Sequence, residues 1–312
     1  MRRSLARLVS WRAHPFSFGT AIVKGLSPAF AEAALRHDSS STIIQGTAEK
    51  QHAAYVAALR ANIPQVIELP ADADSPDCCF IEDTAVVVGE TAVVTRPGAD
   101  SRQGETESTA TALASLGLRV VRMSLPARLD GGDVLFTGRE FFVGLSMRTN
   151  RAGAAALAAA FPGLPVTPVP MLDILSSRRR GRAPKPGGSG ALLHLKSACS
   201  MLVDGVVAYE DTPAGAALSA WMAQASRLRG SAHELTWMPL PDAPAANTVA
   251  LGGALIVRAA AEYPESVQAL QAILPSAVRI VEVRRYGGAK TTCKMATPPP
   301  PPPTPPHPAR WI

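Results

Sequence analysis

Cysteine, long apolar runs and early acidic residues are scarce in this chain, and each shortage excludes something. Only Cys78, Cys79, Cys199 and Cys293 occur in 312 residues. No pair has CxxC spacing, which argues against a zinc ribbon or a thioredoxin motif. Four cysteines are too few for a disulfide scaffold at this length. A reducing, cytoplasmic setting is therefore expected. No apolar run reaches the roughly 18 residues of a membrane span, so no membrane association is expected. No acid precedes Glu32, while Arg2, Arg3, Arg7 and Arg12 do. Residues 1–15 read either as a short basic extension or as a mitochondrial transit peptide. They lack the apolar core of a secretory signal.

Nearly half of the residues are apolar, which is enough for a sizeable core. The net charge of +6 invites a nucleic-acid reading, but the basic residues form no long stripe. The densest cluster, Arg178 to Arg180 with Arg182 and Lys185, lies in a Gly/Pro/Ser-rich stretch and reads as a solvated loop. No nucleic-acid partner is expected.

One pattern recurs about every 50 residues: a polar residue, a short apolar strand, a tight turn, a second strand and a helix. Glu82-Asp83 precede TAVVV, the turn at Gly89-Glu90, and TAVVTR. Asp130-Gly-Gly-Asp133 precede VLF, the turn at Thr137-Gly138-Arg139, and EFFVGLS. His194 leads to CSMLV, the turn at Asp204-Gly205, and VVAY; a fourth copy begins near Asn247. Alternating β-branched and aromatic residues around glycine turns predict hairpins. Ala/Leu-rich stretches near 104–117, 151–161, 213–227 and 264–274 predict the helices between them. Repeats of one such unit suggest a closed radial array, in which the polar residues opening each hairpin converge on one channel. Two segments break the pattern. Residues 174–191 read as a flexible insertion, and residues 297–312 as a proline-rich, extended or disordered tail. That tail reads either as an SH3-type ligand or as a non-native end.

Asp77, Glu82 and Asp83 crowd one strand mouth, where three carboxylates repel one another unless a cation sits among them. A planar guanidinium suits that place, because it gives bidentate hydrogen bonds to carboxylates. Taken alone, these acids are a solvated loop, His194 between leucines is a core histidine, and Cys293 is a small apolar residue. Together they supply acids, a histidine and a thiol at one phase of a repeat.

The segments ELPADADSPDCCFIEDTAVV, AVVTRPGADSR, RLDGGDVLFTGREFFVGLSMRTN, LHLKSACSM and AEYPES resemble the dimethylarginine dimethylaminohydrolase family, within the guanidino-group-modifying enzyme superfamily. The resemblance runs from about residue 16 to residue 290. It implies an α/β fold, a five-fold pseudosymmetric propeller of ββαβ units, over residues 16–296. It also implies hydrolysis of asymmetric dimethylarginine and monomethylarginine to citrulline and methylamines, which would relieve inhibition of nitric oxide synthesis. Cys293 would be the nucleophile, His194 the general acid and base, and Asp130 its orienting carboxylate. Asp77 would hold the substrate α-amino group, and Glu82 the guanidinium with Asp83 beside it. Arg102 and Arg148 would grip the α-carboxylate, and Leu35 would sit on a lid. No cofactor or resident metal is implied, although zinc on the Cys/His pair would inhibit.

The C-terminus departs from the family. Gly288 stands where an aspartate is expected, and prolines follow Cys293 where strand residues are expected. Two other readings are therefore open: a catalytically impaired binding paralogue, or a relative closer to arginine deiminase.

Overall fold

The structure is a computed structural model and describes residues 16–35, 42–177, 194–230, 234–242 and 245–284. It is an α/β fold of small mixed sheets. The first sheet pairs β1 (Thr20–Lys24) in parallel with β2 (Gln65–Leu69). Between them lie α1 (Phe30–Ala33) and α2 (Gln45–Arg60). A β-β-α-β unit then repeats four times. The first comprises β3 (Ala85–Val88), β4 (Thr91–Val94), α3 (Thr106–Ser115) and β5 (Arg119–Arg122). The second comprises β6 (Val134–Phe136), β7 (Phe141–Gly144), α4 (Arg151–Ala160) and β8 (Val166–Val169). Helices α5 (Met171–Ser177) and α6 (Leu195–Ala198) follow. The third unit comprises β9 (Cys199–Val203), β10 (Val206–Glu210), α7 (Pro213–Leu228) and β11 (Thr236–Leu240). The last comprises β12 (Val249–Ala250), β13 (Ala254–Arg258), α8 (Pro264–Ile273) and β14 (Arg279–Val283).

In each unit the first two strands pair antiparallel, and the third joins the second in parallel across the helix. The local chemistry explains the joints. Gly89, Gly138, Gly205 and Gly252 take positive φ at the four hairpin turns, a conformation costly for residues with a Cβ. Asn150 and Thr212 cap α4 and α7 by accepting the N–H groups of Gly153 and Gly215. Pro213 and Pro264 stand in the first turns of α7 and α8, where no N–H is needed.

The hairpin pattern locates both strands of each pair but not β5, β8, β11 or β14, whose partners lie across a helix. The expected insertion over 174–191 is corrected at its start. Residues 174–177 complete α5, and Ile174 and Leu175 pack on a buried cluster around Phe142 and Leu218. Residues 178–193, the basic extension 1–15, Cys293 and the tail 297–312 lie outside the described residues.

Apolar clusters join neighbouring sheets. Ile22 of β1 packs with Ile81, Ala92 and Leu113. Val93 packs with Val134, Phe141 and Leu157. Leu135 and Phe142 pack with Met201 and Val207. Leu202 and Ala208 pack with Leu255 and Val257. Leu251, Ala254 and Ile256 in turn pack with Phe30, Val56 and Leu59, between β1 and β2. The fifth sheet thus shares a core with the first. These contacts place the segments just before β3, β6 and β9 beside one another.

Candidate active site

Two 3-10 turns, Ile81–Thr84 before β3 and Gly131–Asp133 before β6, touch through their backbones. A Cβ on Gly131 would lie 2.0 Å from the Glu82 carbonyl oxygen. A Cβ on Gly132 would lie 2.8 Å from Asp83 Oδ1 and equally close to the His194 ring. The paired glycines are therefore what lets the acid turn, the second turn and the histidine occupy one place. Gly132 N–H donates to Asp83 Oδ1 at 2.8 Å.

His194 stands at the N-cap of α6 and is buried. Its Nε2 is 3.0 Å from Asp130 Oδ2 and 4.0 Å from Asp83 Oδ1. Asp130 is fixed in turn: Oδ1 accepts Gly98 N–H at 2.7 Å, and its own N–H donates to Thr149 Oγ1 at 3.1 Å. Burial alone would lower the His194 pKa, but Asp83, Asp130 and Asp133 raise it to about 9. The imidazole is thus cationic at neutral pH. Burial pushes Asp83 upward, yet the His194 and Arg102 charges and the Arg102 and Gly132 hydrogen bonds bring it down to about 2. Asp83, Asp130 and His194 offer donor atoms within 4.8 Å of one another, a spacing that could hold a metal ion. Their charges are already compensated among themselves and by Arg102.

Arg102 is buried as well. Its Nη1 donates to Asp83 Oδ2 at 2.6 Å, and its Nη2 to Glu105 Oε2 at 2.8 Å. It also donates to the carbonyls of Asp77 and Phe80. The guanidinium expected to grip a ligand carboxylate is therefore engaged by the protein's own acids, with its pKa raised well above the ordinary value despite its burial. Burial raises the Asp77 carboxyl pKa, while Arg102 and Arg148 pull it down. Both Asp77 oxygens accept Leu35 N–H, each at 3.1 Å. Leu35 itself is 41% exposed. Arg148 is half-buried on the Asp77 side of the cluster. Glu82 forms an ion pair with Lys196.

The structure thus brings Asp77, Glu82, Asp83, Arg102, Asp130, Arg148 and His194 into one neighbourhood, with Leu35 at its edge. Sequence reasoning missed four residues there. Glu105 lies three positions after Arg102, a helical ion-pair spacing. Asp133 closes the Asp-Gly-Gly-Asp motif and accepts Ser146 and Thr149 hydroxyls, each at 2.7 Å, and Leu195 N–H at 2.9 Å. Burial raises the Asp133 pKa to about 6 against the pull of His194 and these hydroxyls. Thr149 bridges Asp130 and Asp133, and Lys196 sits two residues beyond the histidine.

No protein-family model matches the chain. Among curated proteins, the N(G),N(G)-dimethylarginine dimethylaminohydrolase of Streptomyces coelicolor is 34% identical over 280 residues, covering 87% of this chain and 94% of that protein. The chain belongs to the dimethylarginine dimethylaminohydrolase family. A family structure from Pseudomonas aeruginosa, a cysteine-to-serine variant complexed with citrulline, superposes with a TM-score of 0.68 at 24% identity. The match covers 89% of this chain and 98% of that one. The substrate-bound N-terminal domain of the cyanobacterial arginine dihydrolase ArgZ shares the fold at 0.68 and 16% identity, over 90% of this chain and 98% of that domain. The fold therefore hosts more than one guanidino chemistry, and the family assignment rests on the Streptomyces relative.

Proposed function

We propose that this protein hydrolyses asymmetric dimethylarginine and monomethylarginine to citrulline and the corresponding methylamine, and so relieves inhibition of nitric oxide synthesis. The observation that carries the reading is a cationic His194 held 3.0 Å from Asp130 beside the Asp77, Glu82 and Asp83 carboxylates, in a chain of this family. Glu82 takes the guanidinium, with Asp83 beside it, and Asp77 takes the α-ammonium in exchange for Leu35 N–H. Arg148 takes the α-carboxylate, and Arg102 adds its charge from within the protein.

Cys293 attacks the guanidinium carbon as thiolate, forming a C–S bond and a tetrahedral adduct. The adduct collapses by breaking a C–N bond, and His194 gives its proton to the departing amine. A histidine with pKa near 9 carries that proton at neutral pH. Water then attacks the thiouronium carbon and His194 takes one of its protons; the C–S bond breaks to return thiolate, and the second water proton passes through solvent to the released amine, leaving neutral citrulline and an alkylammonium ion. These steps call for no cofactor, and zinc held by Cys293 and His194 would block them.

The finer architecture belongs to the same proposal. The five sheets close into a five-fold pseudosymmetric propeller, supported by the cluster that joins the last sheet to the first. Glu82-Asp83, Asp130 and His194 each open a hairpin of that array. Citrulline release tests the reading, with arginine compared against its N-methylated forms. We expect turnover of the methylated forms and none in Cys293→Ser, with substrate binding by calorimetry retained. Faster turnover of arginine would move the assignment to a deiminase. Equal turnover in Cys293→Ser would remove that thiol.

A further inference from the structure

We propose that Lys196 is a resident cation that competes with the substrate guanidinium for Glu82, and that it thereby sets selectivity between cationic substrate and neutral product. The inference rests on the functional reading above. The Lys196 ammonium pairs with Glu82, and both side chains are largely buried, at 15% and 13% exposure. The pair spans 114 positions in sequence, so it is a tertiary contact and not a helical neighbour effect. Its geometry is anchored at the backbone. Asp133 accepts the N–H of Leu195, adjacent to Lys196, and Gly131 presses against the Glu82 carbonyl. The backbones of both partners are thus tied to the turns that hold His194 and Asp83.

A guanidinium arriving at Glu82 meets an ammonium already there. A second cation brought to the same carboxylate repels the first where the dielectric is low, so binding becomes an exchange. The planar guanidinium prevails because it offers paired N–H donors, where ammonium is a point charge on a flexible stem. Hydrolysis removes the advantage. The urea of citrulline is neutral, so Lys196 returns to Glu82 and product is held less tightly. Lys196 thus weakens substrate binding but limits product inhibition.

The test measures KM for asymmetric dimethylarginine and the product-inhibition constant for citrulline in wild type, Lys196→Gln and Lys196→Arg. In Lys196→Gln the KM should fall by about tenfold relative to the citrulline constant, the factor expected from about 1.4 kcal/mol of relieved repulsion. Lys196→Arg keeps the charge and adds a bidentate grip, so the ratio should not fall. If Lys196→Gln does not fold, Lys196→Met keeps the stem and predicts the same change. An unchanged ratio, or a higher substrate KM with the ratio moving the other way, would overturn the proposal while leaving the functional reading intact. Wild type that releases no citrulline would overturn both.

Discussion

His194 draws its charge from its neighbours, and this makes it a reporter of stability as well as chemistry. Its folded pKa of about 9 exceeds the ordinary value of 6.5, so the folded state holds the proton more tightly. The resulting stability is fully present below pH 6.5 and is lost as pH rises through 9. Its size is on the order of 3 kcal/mol. Asp83 acts at the other end of the scale. Its pKa, depressed from 3.8 to about 2, contributes stability above pH 3.8 that is lost on acidification through 2. Asp133, raised to about 6, works in the opposite sense between about pH 4 and 6, where its ionisation costs stability. We therefore expect urea-unfolding free energy to decline between pH 6.5 and 9 in wild type but not in His194→Gln. Parallel curves for the two proteins would show that His194 is not cationic in the folded state.

At the scale of elements, the 3-10 turn Gly131–Asp133 organises the site, and its glycines set a measurable limit. A methyl group at 132 would press on Asp83 and His194 at 2.8 Å. Gly132→Ala should cost about 1–3 kcal/mol of stability and at least about tenfold in turnover, since small displacements of reacting groups are costly. Gly104→Ala is the control. It lies in another 3-10 turn, no atom lies within 4 Å of its added Cβ, and its φ is not positive. Equal losses in both variants would refute the crowding argument. Two adjacent glycines before a strand are compatible with a close backbone approach, because neither carries a Cβ. The sequence could not name what approaches: Glu82 lies about fifty residues earlier, and His194 about sixty later. The boundary of α5 was missed for a related reason. Ile174 and Leu175 form too short an apolar signal to separate a last helical turn from a loop, and only their packing on Phe142 and Leu218 does so.

For the whole molecule, the clusters that join successive sheets make stability a shared property. Leu255 of β13 is fully buried, and it packs in the cluster that links β13 to Leu202 and Ala208 of the preceding sheet. Leu255→Ala should cost about 2–5 kcal/mol. Because each sheet shares a core with the next, unfolding should remain one cooperative transition by fluorescence and by circular dichroism. Separate transitions by the two probes would show that the units unfold independently. No helix among the described residues is long and apolar enough to cross a membrane.

The sequence by itself determined the local grammar of this protein. β-Branched pairs around glycine turns specified the hairpins, Ala/Leu periodicity specified the four helices between them, and the placement of Glu82-Asp83, Asp130 and His194 ahead of their strands specified a common phase. Those features follow from steric and hydrophobic preferences that act within about a dozen residues. Tertiary structure decided which charges meet. Arg102 turned inward to Asp83 and Glu105, Lys196 found Glu82, and His194 became a cation. Pairings of this kind depend on distances across the fold and on the low dielectric between buried groups, and neither quantity is written in the order of residues along the chain.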